Sequence, residues 1–139
     1  WTIIINGKGS IFPIYEIEDD NGPLWSFMCD VDDITEDYFD NDHIQIIINK
    51  KHPAYEFIHP KSENYNSYFL NDVMASAISA IIMKLRSKEQ NNKIDLEQDF
   101  ENGSILQAIK YFNDKLGFKI NGTYEEMLKS IKVFFDKEC

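Results

Sequence analysis

Residues 70–85 read LNDVMASAISAIIMKL. Leu70, Val73, Met74, Ala77, Ile78, Ile81, Ile82 and Leu85 recur at i, i+3, i+4, i+7, i+8, i+11, i+12 and i+15, which is the apolar stripe of an α-helix. The opposite face, Ala75, Ser76, Ser79, Ala80 and Met83, is small rather than charged. Small side chains let a second element approach closely. The helix is therefore expected to be central, packed on two sides, or packed on one side with an interface on the other. Asn71 is the expected N-cap.

Toward the C-terminus the helical reading continues. Ser104-Ile105-Leu106-Gln107 and Thr123-Tyr124-Glu125-Glu126 both fit a capping box, in which a hydroxyl and a carboxylate or amide satisfy the free N–H groups of a helix start. Ile105, Ala108, Ile109, Phe112 and Leu116 form one stripe, and Tyr124, Leu128, Ile131 and Phe135 another. The short connection between them predicts antiparallel neighbours, with Gly117 ending the first. Residues 95–100 are read as a further short helix.

Toward the N-terminus the period changes from helical to two. Ile44–Asn49 (IQIIIN) alternates as a strand with Ile44, Ile46 and Ile48 on one face. Leu24–Val31 places Trp25, Phe27, Cys29 and Val31 on one face. Ile11–Ile17 contains Pro13, which has no ladder N–H, so this strand is expected at an edge or at a bulge. Asp19-Asp20-Asn21-Gly22-Pro23 reads as a hairpin turn, because Asn-Gly tolerates positive φ. Thr2–Asn6 reads as a strand and Gly7-Lys8-Gly9 as a turn. Strands first and helices afterwards imply α+β: a small, mostly antiparallel sheet from the N-terminal half, covered on one face by three to four helices from the C-terminal half. At 139 residues the chain is read as a single domain. Its start on Trp1, without an initiator Met or signal segment, reads as a fragment or processed part of a longer chain.

The charge is uneven. The net charge is −10, from 14 bases and 24 acids, and 13 of the bases are Lys. Between Gly9 and Asn49 there are eleven acids and no base, while the rest of the chain sets 13 acids against all 14 bases. Nucleic-acid and anionic-membrane binding need the opposite sign, so neither is an expected partner. No run of 18 apolar residues predicts a transmembrane helix. Two cysteines, Cys29 and Cys139, form no metal knuckle and no disulfide framework, which reads as a reduced, cytoplasmic protein. Abundant Ile, Asn and Lys beside a single Arg point to an AT-rich, bacterial coding sequence.

Few motifs carry chemistry. Asp30-Val31-Asp32-Asp33-Ile34-Thr35-Glu36-Asp37 clusters carboxylates as calcium loops do, but lacks the Gly of the sharp turn and the Glu at the twelfth position from Asp30. His43, His52 and His59 match neither HExxH nor zinc-finger spacing. Nucleophile elbows and phosphate loops are absent, and Gly7-Lys8-Gly9-Ser10 has the wrong spacing. Acids interleaved with aromatics remain, and such a surface docks protein, since aromatic side chains anchor and charges steer.

The expected site is Asp32, Asp33, Glu36, Asp37, Tyr38, Phe39, Asp40 and Asp42. The expected function is a non-catalytic acidic module that docks a basic partner protein or the remainder of a longer chain. It would be inhibitor- or immunity-like, or an accessory domain of a larger bacterial protein. It needs no cofactor and no metal. The alternative is a metal-dependent hydrolase with Asp and His ligands.

Overall fold

Ile44–Asn49 holds the sheet together, because both other strands of that sheet pair with it. A computed structural model describes residues 3–4 and 11–137; the side chains are described from Phe12 onward. Most of the expected Thr2–Asn6 strand, the Gly7–Gly9 turn and Cys139 lie outside the described residues. The elements in chain order are β1 (Ile3–Ile4), β2 (Ile11–Phe12), β3 (Ile14–Ile17), β4 (Trp25–Cys29), β5 (Ile44–Asn49), α1 (Ser67–Arg86), α2 (Ile105–Asp114) and α3 (Tyr124–Lys137). Short 3₁₀ turns lie at Pro53–Phe57 and Gln90–Asn92.

The fold is α+β, as the sequence predicts, with three α-helices following the strands. The three-stranded sheet has the order β3-β5-β4 and is mixed rather than mostly antiparallel. Strand β5 runs antiparallel to β4 and parallel to β3, with Ile46 opposite both Phe27 and Ile14. The two-stranded β1–β2 pair is antiparallel. Pro13 separates the two sheets: β2 ends before it and β3 starts after it, at the sheet edge, as its missing N–H predicts.

The 19–23 turn does not make a hairpin. Strands β3 and β4 still run in opposite directions, but one strand apart, with β5 inserted between them, so β5 must be parallel to one of the two. Asn49 maintains that spacing. Its side chain, 1% exposed, accepts from the N–H groups of Asp19 and Lys51 (both 3.0 Å) and donates to the carbonyls of Asp19 (2.7 Å) and Gly22 (3.2 Å). Gly22 does not have positive φ; a Cβ there would crowd the Asp19 carboxylate, which would have to turn aside.

Ile44, Ile46 and Ile48 are buried, and Trp25, Phe27 and Cys29, opposite them in register, pack against the same core. Helix α1 packs on this face through β4 and β5 and receives α3 on its other side. These contacts leave only a narrow exposed stripe on α1, at Tyr68, Asp72 and Lys84. By length and composition α1 could cross a bilayer (mean hydropathy 1.3), because its polar residues are mostly small. A core helix passes the same test, and 61% of that window is buried in the fold.

Helix α1 starts one turn earlier than expected. Asn66 is its N-cap, accepting from Phe69 N–H, and Asn71 is buried, donating to Phe135 O of α3 at 3.3 Å. Residues 95–100 form turns, not a helix: Asp95 Oδ1 takes the Glu97 N–H and so competes with helical bonding. Both capping hydroxyls accept as predicted, from Gln107 N–H and Glu126 N–H; Gln107 Oε1 takes the Gly103 N–H instead of that of Ser104. Helix α3 packs chiefly on α1 rather than on α2. The α2–α3 connection is drawn away by Arg86, whose guanidinium donates to Ile120 O and Gly122 O.

Candidate functional site

The acidic loop between β4 and β5 contains no helix; it is a series of side-chain-bonded turns. Asp33 Oδ1 accepts from Thr35 N–H (2.9 Å) and Thr35 Oγ1–H (2.7 Å), the side-chain turn that a short carboxylate favours. Asp37 Oδ2 accepts from the N–H groups of Asp32 (2.8 Å) and Asp33 (3.1 Å). Asp40 Oδ1 accepts from Asp42 N–H (3.1 Å) and His43 Nδ1–H (2.7 Å).

The loop backbone is fastened at both flanks. Its carbonyls at Ile34 and Asp37 take the N–H groups of Leu106 and Ile105, in the free first turn of α2. Thr35 O takes Glu101 N–H, Gly103 O takes Phe39 N–H, and Lys88 Nζ donates to Val31 O at 2.6 Å. Carboxylates beside a helix N-terminus also complement its dipole.

These contacts divide the eight expected residues. Asp33, Asp37 and Asp40 shape the loop. Phe39 belongs with the core, edge-on to Phe12 (5.3 Å) and Phe112 (5.9 Å). Tyr38 is 55% exposed and lies over Gly103, where its Cδ1 would be 3.7 Å from an added Cβ. Asp32, Glu36 and Asp42 are exposed, with no hydrogen bond or ion pair to their carboxylates among the described residues. A rigid loop thus presents three free carboxylates and one aromatic ring. The sequence reading missed Lys88, Thr35 and the 101–106 segment as supports. Thr35, two residues after an Asp, was the legible signal; the Lys88 contact spans 57 positions and had none.

His43 braces the loop. Its Nδ1–H meets Asp40, and its Nε2 is 3.8 Å from Asp37 Oδ1. The Asp40 hydrogen bond, with the charges of Asp40, Asp37 and Asp42, raises the His43 pKa above its usual 6.5. The N–H groups of Asp33 and Asp32 hold Asp37 below the usual carboxylate range. A raised imidazole pKa stabilises the fold fully below the unfolded value and loses that contribution as pH rises through the folded value. A lowered carboxylate pKa stabilises above the unfolded value and fails in acid. His43→Gln is therefore expected to lower the urea midpoint more at about pH 5.5 than at about pH 9. An effect independent of pH would contradict the bracing role.

The other candidates scatter. His52 and His59 accept at Nδ1 from Ala54 N–H and Lys61 N–H, at turns preceding prolines and remote from the His43 bonds. Among the described residues no group of three or more His, Cys, Asp or Glu side chains has a metal-holding arrangement. Burial pushes the Cys29 thiol pKa up, with Lys88 and Lys84 opposing. Tyr55 donates to the Glu16 carboxylate and ties the Pro53–Phe57 turn to β3; burial, then that bond, raises its pKa. Gly7-Lys8-Gly9-Ser10 lies outside the described residues.

Compared with known proteins, the chain matches no family model, and neither a curated protein nor a solved structure is significantly similar to it.

Proposed function

We propose that this chain is a non-catalytic docking domain that binds a basic partner protein through the acidic loop, in the manner of an inhibitor or immunity protein or as an accessory domain of a larger bacterial protein. The observation that carries the reading is the division of labour within the loop. Asp33, Asp37 and Asp40 fix the backbone by hydrogen bonds, whereas Asp32, Glu36 and Asp42 are exposed without a hydrogen bond or ion pair among the described residues, in the same loop as the exposed Tyr38 ring. A preorganised surface binds with a smaller ordering cost than a flexible acidic segment. The carboxylates would steer a basic surface and Tyr38 would anchor it. A reducing cytoplasmic setting accompanies this reading.

The test is calorimetry with decalysine as the basic probe. The triple variant Asp32→Lys, Glu36→Lys, Asp42→Lys removes the free carboxylates without touching the bonded ones. Its affinity is expected to fall at least about tenfold, and a control with the same charge change at Glu63, Asp114 and Glu125 by less than about threefold. Equal losses in both variants would mean that net charge alone attracts the probe and would overturn the assignment.

A further inference from the structure

A groove of about 540 Å³ lies between α3 and the α2–α3 connection, at the opposite end of α2 from the acidic loop. Its apolar part is Leu116, Val133 and Phe134; its rim carries Lys119, Lys129 and Lys137. On α3 the lining residues Glu126, Lys129, Ser130, Val133, Phe134 and Lys137 recur at i, i+3, i+4, i+7, i+8 and i+11. This is a second stripe, distinct from the Met127, Ile131 and Phe135 stripe buried in the core.

The polar groups of the groove differ in availability. Ser130 Oγ takes Lys119 N–H and donates to Met127 O. Glu126 accepts from Thr123 N–H in the capping box, so its carboxylate already faces the helix start. The three lysine ammoniums have no ion-pair or hydrogen-bond partner among the described residues. Only Lys50 and Lys132 form lysine salt bridges there. Val133 remains 43% exposed. In a chain of net charge −10, three lysines without a direct ion pair thus surround an apolar floor, one of them, Lys119, within electrostatic reach of the Glu126 carboxylate.

We propose that this groove binds a small single-tailed amphiphile with an anionic head, the alkyl tail lying on Leu116, Val133 and Phe134 and the head among the three ammoniums. The volume falls in the range of small-molecule sites, about 300–1,000 Å³. Lysine supplies strong point charges for an anion, and the removal of the tail from water supplies the rest of the affinity. The site does not depend on the acidic loop or its partner.

The experiment is calorimetry with decanoate below its micelle concentration, with decyltrimethylammonium and acetate as comparison probes. Saturable one-to-one binding of decanoate, with neither comparison probe binding, is expected. Lys119→Gln/Lys129→Gln/Lys137→Gln is expected to weaken decanoate at least about tenfold, and the equal-charge control at the exposed Lys51, Lys61 and Lys93 less than about threefold. Val133→Asp, at a half-exposed position that tolerates the change, is expected to abolish binding while the thermal midpoint stays near that of the parent. No saturable decanoate binding, equal binding of the cationic homologue, or equal losses in the groove and control variants would each overturn the proposal.

Discussion

Asn49→Ala is expected to lower the unfolding free energy by about 3–5 kcal/mol. The side chain fills all four of its hydrogen-bonding positions with backbone groups of Asp19, Gly22 and Lys51. Alanine removes every one; Asp19 O keeps the Gly22 N–H, while the other groups lose their protein partner at about 1–3 kcal/mol each before water re-enters. Asn49→Asp is the sharper variant. A carboxylate keeps the two accepted bonds but faces the carbonyls of Asp19 and Gly22 where the amide had donated. It is expected to be at least as destabilising as alanine near neutral pH and to recover partly in acid, where the protonated acid can donate again. Urea unfolding reads both variants through a shift in midpoint at unchanged slope. A cost below about 1 kcal/mol for alanine would mean that the turn is held by other contacts.

Arg86 is the second point of high leverage. It is 6% exposed at the end of α1, its Nε donates to Asn92 O at 2.8 Å, and its Nη1 donates to Gly122 O at 2.8 Å and Ile120 O at 3.2 Å. No carboxylate pairs with it among the described residues; three carbonyl dipoles hold the cation. Arg86→Ala is expected to cost about 3–5 kcal/mol, through lost packing of the methylene stem and three orphaned carbonyls. Arg86→Met separates the two contributions. It keeps the stem and removes the buried charge, so it should cost about 1–2 kcal/mol less than alanine. Arg86→Lys should not rescue, because one ammonium cannot span carbonyls on two separate segments. Thermal and urea midpoints for the three variants decide the matter; equal costs for methionine and alanine would show that packing contributes nothing.

These two residues also explain where the sequence was legible and where it was not. Local periodicity was sufficient for the α1 stripe, for Ile44, Ile46 and Ile48, and for the capping hydroxyls of Ser104 and Thr123, since each is decided within one or two turns or strand repeats. The strand order was not legible, because the 19–23 turn has the residues of a hairpin and only Asn49, 30 positions away, reveals that β5 lies between its arms. The helix–helix arrangement failed for the same reason: Arg86 redirects the α2–α3 connection from 34 and 36 positions away.

The acidic segment itself was plain from composition. Which of its carboxylates are free was not, because Asp37 and Asp40 differ from Asp32 and Asp42 only in the turns that the folded loop adopts. Phe39 could not be separated from Tyr38 by type alone; the core contacts with Phe12 and Phe112 separate them. The lysine groove was not read from the sequence, where α3 showed a single stripe; Leu116 and Lys119 reach the groove from a connection whose path Arg86 sets.

On the proposed reading, the free carboxylates and Tyr38 of the acidic loop form the docking surface. Amide chemical-shift mapping during a decalysine titration tests it most directly. Saturable shifts are expected, concentrated at residues 32–42 and at the 101–106 segment that supports them, with β3 and α3 unmoved. Shifts spread over all acidic surfaces, or centred on Glu18–Asp20 and leaving the 32–42 loop still, would contradict it.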